Sequence, residues 1–231
     1  VTGAIKYKIY RNNIIVGETK ENYFEDSSAS QGISYSYTVV ATNDIKISNQ
    51  SSAAIGWLKL EEPKNLTATN GTYSDKILLG WDYVDGASSY TVYRGLVEDL
   101  TTNIDVTSLI NIITTTFNSY QDTNDLITEQ EYFYVVIANN QLTTSDISEY
   151  SIGKTVIPVP KSPTNVIATE GIYSNKVLIA WSASLYSTEY VVYRDGIQLG
   201  TTKLTVYEDT TAVPGKTYQY GIRGKNSNGS S

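Results

Sequence analysis

The sequence predicts an all-β chain of tandem β-sandwiches with truncated copies at both ends. Three observations carry this. An alternating, Tyr-rich hexapeptide is written three times: YKIYRN at Tyr7–Asn12, YTVYRG at Tyr90–Gly95 and YVVYRD at Tyr190–Asp195. The stretch Pro63–Trp81 aligns without a gap with Pro163–Trp181. Blocks rich in Val, Ile, Thr and Tyr alternate with period two and are divided by the turn dipeptides Asn70-Gly71, Asp85-Gly86, Asp195-Gly196 and Pro214-Gly215. Period-two alternation marks a half-buried strand rather than a helix. Short strands punctuated by frequent turns describe a sandwich.

Each repeat runs through the same elements in order. A first strand opens at Pro63 or Pro163, and a second ends on Trp81 or Trp181. The hexapeptide is the third strand, with side chains placed alternately in the core and on the outer face. Next come Phe24-Glu25-Asp26, Tyr120-Gln121-Asp122 and Tyr207-Glu208-Asp209. Asp is a turn-capping residue at such a position. The sixth strand is Tyr35-Ser36-Tyr37-Thr38-Val39, with Tyr132-Phe133-Tyr134-Val135-Val136 and Tyr218-Gln219-Tyr220-Gly221-Ile222 as its copies.

This ordered set, repeated over essentially the whole chain, resembles fibronectin type III domains of the tandem kind found in bacterial secreted and surface proteins. No single motif is specific; the set is. The resemblance implies immunoglobulin-like sandwiches with strands A to G. It makes Trp81 and Trp181 the buried Trp of strand B. It makes Tyr35, Tyr132 and Tyr218 the tyrosine of the E–F corner, with the ring in the core and the hydroxyl bonded to backbone a few residues upstream. The domains are then residues 1–60, lacking strands A and B; 61–157, complete, with an insertion between C and C′; and 158–231, lacking strand G. A sandwich without A and B exposes core and unpaired edges. Either the chain is a window on a longer array, or a neighbouring molecule supplies the strands. Linkers fall near Leu58–Pro63 and Val156–Pro163, and the three prolines of the second favour an extended, semi-rigid spacer.

Composition narrows the chemistry. The 231 residues include no Cys, His or Met. Disulfides, Cys or His metal sites, thiol nucleophiles and His-containing triads are excluded. The net charge of −7 lacks the basic footprint of a nucleic-acid binder. No apolar run approaches the roughly 18 residues that span a bilayer. The charge is uneven: residues 61–157 hold 14 acids against 4 bases.

Each candidate for chemistry has a plain structural reading beside it. Arg94 to Tyr120 spans twice the interval of Arg11 to Phe24 or Arg194 to Tyr207. The extra stretch carries Leu96, Val97, Ile104, Leu109 and Ile110. It is either a contact surface for another domain or subunit, or an elaborated C–C′ hairpin covering the sheet edge. Glu98, Asp99 and Asp105 match no Ca²⁺ loop and read as a solvated acidic loop; no cofactor or metal is expected. Asp122 and Asp209 read as turn caps, not as a hydrolytic pair. Arg11, Arg94 and Arg194 end strand C and read as cations stacked on neighbouring Tyr rather than as a ligand grip. Trp57, beside the first linker, is either a stacking platform or a wedge between the first two domains. The 20 Tyr fall mostly on strand positions, so glycan binding by an aromatic row is the weaker reading.

The sequence thus points to a non-catalytic repeat segment of a large extracellular or cell-surface bacterial protein, structural or adhesive and capable of building filaments. Its partners would be other domains or identical subunits, end to end, with glycans as a further option. The alternatives are a spacer or binding module of a secreted carbohydrate-active enzyme, and a phage tail decoration.

Overall fold

The computed structural model describes residues 1–43 and 45–231 and is a set of antiparallel β-sheets, one in the first repeat and two in each of the second and third. It divides into two compact units: Val1–Asn70 with Lys76–Asp125 and Gln130–Lys154, and Gly71–Asp75 with Leu126–Glu129 and Thr155–Ser231. No helix among the described residues is long and apolar enough to cross a membrane.

In the first unit, the first repeat supplies β1 (Lys6–Arg11), β2 (Ile14–Thr19), β3 (Tyr35–Thr42) and β4 (Ala54–Gly56), joined in the order β2-β1-β3-β4. The second repeat has β5 (Thr67–Ala68), β6 (Ile77–Gly80), β7 (Ser89–Leu96), β8 (Ile110–Thr115), β9 (Ser119–Asp122), β10 (Tyr132–Asn139) and β11 (Ser151–Gly153). These form two sheets, β5-β6-β9 and β11-β10-β7-β8. Ile77, Leu79 and Trp81 from the first sheet meet Tyr90, Val92, Tyr134 and Val136 from the second, and none is more than 4% exposed. Trp81 sets its edge against Tyr90 with ring centroids 5.5 Å apart, the aromatic geometry the ring quadrupoles favour.

The second unit repeats this design with β12 (Thr164–Ala168), β13 (Val177–Ser182), β14 (Glu189–Arg194), β15 (Ile197–Thr202), β16 (Val206–Asp209), β17 (Tyr220–Asn226) and β18 (Gly229–Ser230). The sheets are β12-β13-β16 and β15-β14-β17-β18. Trp181 again lies edge-on to its tyrosine, Tyr190, at 5.4 Å. Where the sequence suggested that the last strand is missing, the backbone begins it: Gly229 and Ser230 pair with Asn226 and Lys225.

The first repeat has one sheet, and among the described residues no second sheet covers its inner face. Val39 occupies the strand position of Val136, yet is 37% exposed where Val136 is sealed. The uncovered face is a groove of about 790 Å3 lined by Tyr7, Ile9, Tyr23, Phe24, Tyr37, Val39 and Trp57, among others.

The hairpin between strands C and C′ differs among repeats. In the first and third it turns on two residues, Asn12-Asn13 and Asp195-Gly196, all with left-handed φ between 48° and 80°. That is the pairing a tight two-residue hairpin demands. In the second, Val97–Asp99 and Val106–Ser108 form single 3-10 turns ahead of β8. This insertion packs on its own sandwich. Phe133, on the outer face of β10, is 1% exposed, and a Cβ on Gly95 would lie 2.4 Å from the Phe133 ring and 2.9 Å from Leu109. The corresponding outer residue of the third repeat is Gln219, which stays exposed. The insertion therefore builds a second, small apolar core outside the main one. Phe133→Ala should cost about 3–5 kcal/mol in denaturant unfolding. Gln219→Ala should stay within about 0.5 kcal/mol of the parent chain.

Candidate functional site

The charged residues that recur in all three repeats meet in one cluster per repeat. In the second repeat, strand pairing places Arg94 opposite Tyr134, while β9 ends on Asp122. Arg94 Nη1 donates to Asp122 Oδ2 at 2.8 Å and to the Asn124 carbonyl at 2.7 Å. The Tyr134 hydroxyl donates to the same Oδ2 at 2.9 Å, and Asp122 Oδ1 accepts from the Asn124 N–H at 3.1 Å. The Arg94 guanidinium lies 4.9 Å above the Tyr132 ring. Arg94 is 5% exposed and Asp122 is fully buried.

The other repeats reproduce it. Arg194 reaches Asp209 at 2.8 Å, Tyr220 donates to Asp209 at 2.8 Å, and Thr211 donates both its N–H and its hydroxyl. Arg11 reaches Asp26 at 3.0 Å, Tyr37 donates at 2.9 Å, and Ser28 takes the place of Thr211. Arg11 and Arg194 sit 4.6 Å over Tyr35 and Tyr218. The arginines thus stack on tyrosine and also hold an aspartate that caps its own turn. In sequence these were separate features; the structure joins them.

The ionisation of the cluster follows its contacts. Hydrogen bonds from Ser28 hold the Asp26 carboxyl below its ordinary range against the opposing effect of burial, with help from Tyr37 and the charge of Arg11. Burial would raise Asp209, but hydrogen bonds from Thr211, Tyr220 and Arg194 outweigh it and leave the carboxyl lowered. Tyr37, Tyr134 and Tyr220 are all pushed upward, first by burial and then by the aspartate each one contacts. Each carboxylate is thereby saturated with donors from its own repeat.

Tyr35 and Tyr218 accept a hydrogen bond through the hydroxyl from the N–H of Ser30 and Val213, five residues upstream. Their rings are half-buried beneath arginine, while the core position is filled by Tyr37 and Tyr220. Tyr132 alone of the three corner tyrosines is sealed, at 4% exposure. Trp81 and Trp181 are buried, and neither indole N–H has a hydrogen-bond partner.

The remaining candidates do not converge. Leu96, Val97, Ile104 and Leu109 of the insertion are half-buried, and Ile110 is exposed on edge strand β8. Asp105 caps the second 3-10 turn by accepting from the Thr107 N–H and hydroxyl. Glu98 and Asp99 are exposed, and among the described residues no group of three or more metal-ligating side chains occurs. Trp57 is no wedge between the first two repeats. It is 49% exposed and lines the open groove of the first repeat. The wedge is Leu60, 3% exposed, which sequence reading passed over as one more linker residue.

No protein-family model matches the chain. Exoglucanase B of Cellulomonas fimi is 25% identical over 248 residues, covering 96% of this chain and 21% of that protein. The chain therefore spans about a fifth of the length of that relative. A solved Fn3-like protein from Clostridium thermocellum is 26% identical over 40% of this chain and 90% of that one, with a TM-score of 0.34. The FN1-FN3 domains of chicken CNTN1 are 14% identical over 100% of this chain and 87% of that one, with a TM-score of 0.40.

Removing one partner from the buried pair leaves an uncompensated charge. Arg94→Ala should cost about 3–5 kcal/mol, and Arg11→Ala, in the more open cluster, clearly less. The pH dependence has two limbs. Asp26 and Asp209 titrate lower in the folded chain, so their stabilisation is complete above the unfolded carboxylate pKa of about 4 and is lost as pH falls through it. The tyrosines titrate higher in the folded chain, so theirs is complete below about pH 10 and is lost as pH rises beyond it. Melting temperature should be flat between about pH 5 and 9 and fall on both sides. An unchanged melting temperature at pH 3 would contradict this.

Proposed function

We propose that the chain is a non-catalytic spacer segment of a larger, extracellular or cell-surface bacterial protein, and that this protein acts on polysaccharide. The observation that carries the reading is the threefold Arg–Asp–Tyr cluster. The charged residues that recur with the repeat are bound to one another inside each sandwich, where they serve folding and present no reactive group to a ligand. The alignment with Exoglucanase B supports the context, because it runs through all three repeats rather than through one. A segment of this kind does mechanical work: each sandwich buries its own core, and the joints between sandwiches set distance and direction. An adhesive or filament-forming parent would use the segment in the same way.

The purified chain should neither release reducing sugar from cellulose or soluble β-glucan nor bind either in a saturable manner. Turnover that survives repurification, or saturable binding lost on Trp57→Ala, would overturn the spacer reading.

A further inference from the structure

A spacer transmits direction only if its joints are stiff, and the first unit contains a joint with a specific latch. Asn140, at the turn after β10, uses its whole side-chain amide. Nδ2 donates to the Gly86 carbonyl of its own repeat and to the Gly32 carbonyl of the first repeat, both at 2.9 Å. Oδ1 accepts from the N–H groups of Leu142 and Thr143, at 2.9 and 3.0 Å. The two donors thus tie backbone from successive repeats to one side chain, and the two acceptor contacts hold that side chain still.

The surroundings are shaped for the contact. A Cβ on Gly32 would lie 2.2 Å from Asn140 Nδ2, and one on Gly86 would lie 2.4 Å from the Gln31 carbonyl oxygen. Both glycines have left-handed φ, 63° and 75°. Glycine alone allows backbone to approach this closely in that conformation. Gln31 and Leu58 form a parallel bridge, the Gly32 N–H donates to the Leu58 carbonyl, and Gln31 Oε1 accepts from the Glu61 N–H at 3.0 Å. Leu60 is sealed beside both glycines.

The second unit shows the device again. Asn226, at the same turn of the third repeat, donates through Nδ2 to the Tyr186 carbonyl of the B–C loop at 3.0 Å and to the Pro158 carbonyl of the linker at 2.8 Å. Asn43, the counterpart in the first repeat, makes the turn contacts to Ile45 and Lys46 and donates to the Gly3 carbonyl at 3.2 Å, all within its own repeat.

We propose that Asn140 is a positioning residue that locks the angle between the first and second repeats through the bridge from Gly32 to Gly86. The proposal rests on the spacer reading and gives that reading its mechanism. It is tested by pulsed electron spin resonance on the whole chain, which carries no native Cys and so accepts labels cleanly at Gln50→Cys and Thr116→Cys. The parent chain should give one narrow distance distribution. Asn140→Asp keeps the oxygen that organises the turn but loses the donor and faces two carbonyls with negative charge; it should broaden the distribution at least twofold. Asn43→Asp, the same change without the bridge, should leave the width unchanged. Gly32→Ala, whose added Cβ would strike Asn140 Nδ2 and the Gly86 carbonyl oxygen at the joint, should also broaden it. A distribution as narrow in Asn140→Asp as in the parent, or equal broadening by Asn43→Asp, overturns the lock. The lock and the spacer reading fail separately: glucan binding by a chain with a narrow distribution defeats the second and leaves the first intact.

Discussion

An aspartate sealed from water is the constraint on which each sandwich depends. A buried carboxylate is tolerated only when it is paired and its lone pairs are filled. Asp122 meets that demand with Arg94, Tyr134 and the Asn124 N–H. In doing so it draws three separate elements to one point. Arg94 lies on β7, Tyr134 on β10, and the aspartate itself closes β9 in the opposite sheet. The network therefore fixes how the two sheets approach, as well as the register of strands that alternate apolar residues alone would hold less firmly. The same arrangement in all three repeats marks it as part of the architecture and not as a site that one repeat has acquired.

The first repeat carries the copy of the cluster whose aspartate is least buried. Among the described residues no second sheet lies behind Arg11, Asp26 and Tyr37, and the side chains of Asp26 and Arg11 are 11% and 21% exposed, against 0% and 7% for the side chains of Asp122 and Arg94. Solvent screening weakens such a pair. The apolar face beside it, with Val39 and Trp57, stays open. In the second repeat the corresponding face is sealed by Ile77, Leu79 and Trp81.

The strands were legible in the sequence because period two and the turn dipeptides report directly on backbone geometry. Trp81 and Trp181 lie in the core because the second strand delivers them there. Contacts that join distant positions were less legible. Arg94 and Asp122 stand 28 residues apart, and each has an adequate local explanation, one as a cation on tyrosine and the other as a turn cap. Their identical placement in three copies was the available signal for pairing them. The small core under the insertion was hidden because Phe133 follows Tyr132 in a strand where one of two neighbours should face solvent; only the packing of Leu109 shows why an aromatic residue stands there. Trp57 and Leu60 show that size alone does not decide which residue near the linker is buried. The larger residue remains in the groove and the smaller one enters the joint, where two glycine backbones leave room for a leucine.

The central claim is that the repeated charges are bound to one another and shape the fold. A double-mutant cycle on Arg94 and Asp122, with Arg94→Ala, Asp122→Ala and the double variant unfolded in denaturant, measures it directly. The account predicts a coupling energy of about 2 kcal/mol or more, with the double variant more stable than the sum of the two single losses allows. Additive losses, with coupling near zero, would show that the two residues serve separate ends and would return the cluster to the candidates for binding.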